Sequence, residues 1–337
     1  MNECMVSPRS SGKFIADNAA NVSIKENGID KCVSEILERI NDGRLSLDLI
    51  LYKENGVHPT SIEEKDIEWV FMTSALNFSF WTKDTEPQYL VTYKGKTQNG
   101  YMSMCAAINR TLDSGIPLTD PDFYGKISEE DLEKYLMGDD NVSCPMIKER
   151  VSCLHEIGSI LKEKYGGKFS NCLLSCEKSA SKLLQMVTKD FPCFYDGAHY
   201  KGSKVTLHKR AQILVADLWQ LFEAKGLCEF DDIDSITMFA DYRVPQSLQY
   251  FGAFEYSAKL KEFLKSDQLL KNGDERETEI RGCSIEAVGK ITRKVNDRLG
   301  ARKVNDIQID NFLWCFRREK ADEMIKFPYH KVRSIYY

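Results

Sequence analysis

The sequence predicts a mainly α-helical chain, a single compact domain over residues 1–337 with a minor β-hairpin element. Two observations carry that expectation. Apolar residues recur at three- and four-residue spacing in stretch after stretch, the period of a helix with one buried face. Strict alternation, the mark of a half-buried strand, is confined to one short run, and no internal repeat, low-complexity tract or compositional shift marks a second domain.

In chain order, Ser10 and Ser11 stand ahead of Lys13, Phe14, Ile15 and Asn18, which suits a short capped helix. Cys32, Val33, Ile36, Leu37 and Ile40 keep helical spacing until Asn41-Asp42-Gly43 ends the run. Thr60 or Ser61, followed by Glu63 and Glu64, gives a capping signal for a helix through Ile67, Val70 and Phe71. That helix runs into the aromatic residues Phe78, Phe80 and Trp81, with Asn77 alongside. Such density suits core packing; a polar Asn within an aromatic wall equally suits a slot that stacks a flat heterocycle and bonds its edge.

Tyr89, Val91 and Tyr93 alternate ahead of Lys94-Gly95-Lys96, so a hairpin is expected there. A helix follows from Ser103, closed by Gly115, and Pro117, Pro121 and Gly125 mark loops. Ile147, Val151, Leu154, Ile157 and Leu161 predict a long helix over Met146 to Tyr165, stopped by Gly166-Gly167. One further helix is expected from Asn171 to Val187, before Phe191-Pro192. Ala211, Leu214, Val215, Leu218 and Phe222 make the stretch from His208 to Gly226 the clearest amphipathic helix. Lys209 and Arg210 fall in its first turn, where the helix dipole disfavours cations; either an anion such as a phosphate docks there or the turn is simply solvated. Helices are then expected over Tyr256 to Leu270, after Arg281-Gly282 through Ile285, Val288 and Ile291, and from Asp310 through Phe312, Trp314 and Phe316. The aromatic end FPYHKVRSIYY is expected to pack against the body.

A formal charge of -5 and a pI near 5.7 give no global basic footprint for gripping a nucleic-acid polymer, although a local pocket of Lys and Arg could hold a small anion. The start, MNECMVSPRSSGKF, does not resemble a signal peptide and no apolar run approaches membrane-spanning length, so a cytoplasmic protein without a membrane partner is expected. The eleven cysteines then read as reduced thiols and small core residues. Cys172 and Cys176 could share a helix face, but no second pair at ligand spacing accompanies them, so no metal is expected.

The stretch most suggestive of chemistry is SITMFADYRVPQ, residues 235–246. An apolar run breaks into Asp241, Tyr242 and Arg243, and Pro245 suits the start of a new helix. A carboxyl group there loses solvation, which raises its pKa, while a nearby arginine lowers it; such environments are common in active sites. Alternatively, Asp241 caps the next helix and pairs with Arg243. No glycine-rich phosphate loop, GxSxG elbow or HExxH occurs, and the five histidines are scattered. Carboxylates among aromatics, chiefly Asp241 and Asp310, with cations Lys209, Arg210, Arg243 and Arg281, suit hydrolysis through an oxocarbenium-like transition state.

The segments NFSFW (77–81), YKGKTQNGYMSMCAAINRTLDSGIPLT (93–119), KRAQILVADLW (209–219), SITMFADYRVPQ, EIRGCS (279–284) and HKVRSIYY (330–337) resemble the queuosine salvage protein family, in the family's order and over essentially the whole chain. The resemblance implies a helical fold similar to DNA glycosylases and hydrolysis of the N-glycosidic bond of queuosine 5′-monophosphate. Queuine would be released for tRNA modification by a monomer needing no cofactor, with no nucleic-acid polymer as partner. It makes Asp241 the catalytic carboxylate, Phe239 a base-stacking residue and Asp310 a reader of the base, since a carboxylate accepts the paired N–H donors of a guanine-type edge.

Family members can carry an aromatic and then an acidic residue where this chain has Asn311 and Cys315, so the contact to queuine's cationic amine could shift to another carboxylate. The family's histidine between early helices corresponds to His58. Asn77, Trp81, Arg243 and Trp314 complete the expected substrate-binding set, and on physical grounds Lys209, Arg210 and Arg281 are expected to hold the 5′-phosphate. A non-catalytic queuine carrier would use the same slot.

Overall fold

The computed structural model describes residues 7–46, 56–61, 63–83, 85–300 and 303–337. Among them the chain forms fifteen α-helices and three two-stranded antiparallel pairs, the mainly helical architecture expected. None of the described helices is long and apolar enough to cross a membrane.

Local chemistry sets where the elements begin and end. The first helix, Pro8–Asn18, starts earlier than Ser10 and Ser11 suggest, because Ser7 accepts from the Ser10 amide and Pro8 occupies the first turn. Helix Glu64–Ala75 is capped by Glu63 rather than Thr60 or Ser61: Asp66 accepts from the Glu63 amide and also from the Ser61 hydroxyl. The expected hairpin pairs Leu90–Tyr93 with Lys96–Asn99.

Three helix expectations are corrected. The stretch 171–187 divides into Phe169–Ser175 and Ala180–Asp190, because Glu177 and Lys178 adopt left-handed φ of 51° and 60°. Phe254–Tyr256 pairs with Val22–Ile24 as strands, so the following helix runs only over Ala258–Lys265, capped by Ser257. Arg281 and Gly282 do not precede a helix; they lie inside the longest one, Glu275–Leu299. Gly282 costs that helix about 1 kcal/mol in intrinsic propensity. Its place is explained by packing, since a Cβ there would stand 2.4 Å from the Ile15 side chain.

Apolar side chains gather into two large clusters, one built mainly by residues 57–239 and one by the first helices together with residues 238–324. The segment 236–240 runs along their seam: Ile236 and Phe239 enter one cluster, Met238 and Ala240 the other. Helix Asp306–Glu319 does the same, sending Ile307 into the first and Ile309, Phe312 and Leu313 into the second. The last residues lie down on this seam as expected. The Ser79 amide donates to the Tyr337 carbonyl at 3.0 Å, and the Trp81 indole N–H to the Val332 carbonyl at 3.1 Å.

Candidate active site

The seam opens into a cavity of about 1020 Å³. Its floor is the segment ending at Asp241. Gln212, on helix Lys209–Leu221, fixes this segment by accepting from the Thr237 amide and hydroxyl at 2.8 and 2.9 Å. Asp310 fixes it again by accepting from the Phe239 amide at 3.1 Å. Asp310 sits in the second turn of its helix rather than at the start, which Asn305 caps.

The chain then turns, and Asp241 opens helix Val244–Tyr250. Its Oδ1 accepts from the Arg243 and Val244 amides, each at 2.8 Å. Among the described residues Oδ2 has no hydrogen-bond partner, although Asp241 lines the cavity. The capping alternative is therefore correct for one oxygen and leaves the other available. The ion pair imagined with Arg243 does not form: that guanidinium donates to Gln246 at 3.2 Å and lies 4.1 Å over the Tyr329 ring.

Burial raises the Asp241 carboxyl above its ordinary value, opposed by the charge of Lys209 and by the two amide bonds. Burial pushes Lys209 down to about 8, against the pull of Asp241. Its ammonium donates to the Asn77 backbone and side-chain oxygens at 3.3 and 3.4 Å. Asp310 is pushed well above the carboxylate range, first by burial and then by the charge of Asp241. Farther along, burial and then the neighbouring Arg243 lower Arg317 to about 10. The cavity thus carries two carboxylates, Asp310 and Asp241, and three cations, Lys209, Arg243 and Arg317, among its charges.

Phe239, Asp241, Asp310, Asn311, Asn77, Trp81, Lys209, Arg243 and Trp314 all line this cavity, so the structure brings together nine of the thirteen residues singled out in the sequence. The other four lie outside it. Arg281 is buried between Asp196 and Glu277, donating to each at 3.0 Å, and its Nε bonds the Ala240 carbonyl. Arg210 gives both terminal nitrogens to the carbonyls of Ala75 and Cys193. These arginines close the fold and do not face a ligand. The helix start at Lys209 is not an open anion site either, because the Asp196 carboxylate accepts from the Lys209 amide at 3.1 Å.

Cys315 is exposed and is not part of the cavity lining; four residues beyond Asn311, it stands about 40° past that residue, at the edge of the lining face of the helix. His58 stands behind the wall, with Nε2 3.1 Å from the hydroxyl of Tyr101, which does line the cavity. Sequence reasoning overlooked Arg317, Gln246 and Asp217. Asp217 follows Lys209 by eight residues and Ile213 by four, and Arg317 follows Asp310 by seven, so both helical stripes were there to be read. Among the described residues no group of three or more His, Cys, Asp or Glu side chains is placed to hold a metal ion.

A model of the queuosine salvage protein family matches residues 57–337. The chain is 40% identical to the bovine (Bos taurus) queuosine 5′-phosphate N-glycosylase/hydrolase over 99% of both chains. It is 37% identical to the protein of that name from Schizosaccharomyces pombe, over 96% of this chain and 98% of the relative. With the one from Sphaerobacter thermophilus it shares 34% identity over 83% of this chain and 84% of the relative. The chain belongs to the queuosine salvage protein family.

Proposed function

We propose that this protein hydrolyses the N-glycosidic bond of queuosine 5′-monophosphate, releasing queuine and ribose 5-phosphate. The observation that carries this reading is Asp241, with one oxygen held by two amides and the other free in an aromatic cavity beside a buried lysine. The full-length relatives named for this reaction support it.

In the reaction the bond from ribose C1′ to the base nitrogen breaks and its electron pair leaves with the base. The free oxygen of Asp241 stabilises the positive charge developing on the ribosyl ring and accepts a proton from the water that bonds to C1′. The departing base nitrogen takes up a proton. Lys209 keeps Asp241 ionised where burial would otherwise neutralise it. Phe239 offers a face for the base, and Asp310 accepts from its paired N–H donors, which restore the ionised carboxylate that burial disfavours. Cys315 is outside the cavity lining, so the cationic amine of queuine would meet a carboxylate that lines it, Asp217 or Glu86. One chain supplies every one of these groups, so a monomer suffices.

Incubation of the purified protein with queuosine 5′-monophosphate, followed by mass spectrometry, tests the reading. Free queuine and ribose 5-phosphate in equal amounts are expected. Tight binding with no release of queuine would support the carrier instead.

A further inference from the structure

Arg243 and Arg317 are held differently from the other buried cations. Arg150 and Arg210 give their guanidinium groups to backbone carbonyls, and Lys209 its ammonium to Asn77. Arg39 pairs with Glu35 and Glu319, Arg276 with Asp274, Arg281 with Asp196 and Glu277, and Lys331 with Asp267. No carboxylate lies within ion-pair distance of Arg243 or Arg317 among the described residues. Both are half-buried, both line the cavity, and both donate to the same neutral oxygen, Oε1 of Gln246, at 3.2 Å each.

Two guanidinium groups drawn to one amide oxygen repel each other in a region of reduced dielectric. The lowered pKa of Arg317 reflects that cost, after burial. Arg243 is held in place without being neutralised: its guanidinium lies 4.1 Å over the ring of Tyr329 and 5.3 Å over that of Tyr242. Such a pair lacks an anion, and two planar forks suit the oxygens of a phosphate. Its position fits as well. Arg243 follows Asp241 by two residues and its amide donates to that carboxylate, while Asp310 accepts from the amide of Phe239, two residues before Asp241.

We propose that Arg243 and Arg317 form a clamp for the 5′-phosphate of the substrate and so set a preference for the nucleotide over the nucleoside. The proposal rests on the hydrolase reading given above. A nucleotide would then lie with its base at Phe239 and Asp310, its C1′ at Asp241 and its phosphate between the two arginines, replacing the Lys209, Arg210 and Arg281 set expected from sequence. Arg318 and Lys326 also line the cavity and add positive potential, while Glu86 and Asp267 line it with the opposite charge, the latter already bonded to Lys331.

The test compares the wild type with Arg317→Met and Arg243→Met, using queuosine 5′-monophosphate and queuosine as substrates. Each substitution should lower kcat/KM for the nucleotide roughly 10- to 150-fold more than that for the nucleoside, the range for losing a charge-assisted bond. Equal losses on both substrates, or no loss on the nucleotide, would overturn the clamp. Calorimetric titration with ribose 5-phosphate separates this from the catalytic reading, because it needs no turnover. The wild type should bind and both variants should bind at least about tenfold more weakly. A wild type that does not bind ribose 5-phosphate, or variants that bind it equally well, would overturn the clamp even if queuine is released. Absence of queuine together with intact, arginine-dependent ribose 5-phosphate binding would instead leave the clamp standing and remove the hydrolase.

Discussion

Arg281 and Arg317 are both arginines withdrawn from bulk water, in opposite chemical situations. Arg281 is enclosed by Asp196 and Glu277 and stacks 4.0 Å over the ring of Tyr337. Its surroundings are shut: His208 is lowered to about 4 and His330 to about 3, chiefly by burial, so both stay neutral at physiological pH. Arg317 faces a cavity in which the next cation is another arginine and the shared acceptor is an amide. In the first region the buried arginine and both carboxylates are paired with one another, which serves stability. The second leaves carboxylate and guanidinium groups in need of partners that the chain does not supply. Burial alone therefore fails to mark a functional ion; an incomplete set of partners marks it better.

Removing one side of each arrangement gives the largest contrast. Arg281→Met would leave two buried carboxylates without a counterion and is expected to cost about 3–5 kcal/mol in urea unfolding. The same change at Arg317 strips no carboxylate of its partner and relieves a like-charge contact, so stability should move by less than about 0.5 kcal/mol. Comparable losses at both positions would erase the distinction.

The pH profile sharpens the comparison within the cavity. Asp241 must be ionised to act, and its pKa is raised by burial, so activity should fall on acidification at a pH above the ordinary aspartate value. Loss of the Lys209 charge above about pH 8 raises the Asp241 pKa further but leaves that carboxylate ionised, so this pair gives no alkaline fall. The acid limb is at most about tenfold per pH unit for a single titration. In Lys209→Met the acid limb should move upward, since Asp241 loses its opposite charge. An acid limb unmoved in Lys209→Met would exclude this role for Lys209.

Much of this was legible in the sequence where the signal is local. The change from Ile236-to-Ala240 apolarity to Asp241-Tyr242-Arg243 marked the catalytic candidate, and periodicity placed most helices. Where the deciding partner is distant, the signal disappears. Arg281 reads like any basic residue because its partner Asp196 lies 85 positions away. The break after Ser175 is equally hidden, since Asp232 braces the next helix start through Ser179 from 53 positions away. Glu177 and Lys178 themselves are ordinary helix formers. Arg317 was within reach, one heptad beyond Asp310, but nothing local distinguishes an arginine lacking a partner from one that has it.

The central claim is that the free oxygen of Asp241 does chemistry that binding alone does not require. Asp241→Asn tests it most directly, because an Asn carbonyl can still accept from the Arg243 and Val244 amides while the charge is lost. Queuosine 5′-monophosphate binding and queuine release should be measured on the same preparation. The account predicts binding within a few-fold of the wild type and a fall in queuine release of at least about 10³-fold. Release within tenfold of the wild type would contradict it and move the catalytic role away from Asp241.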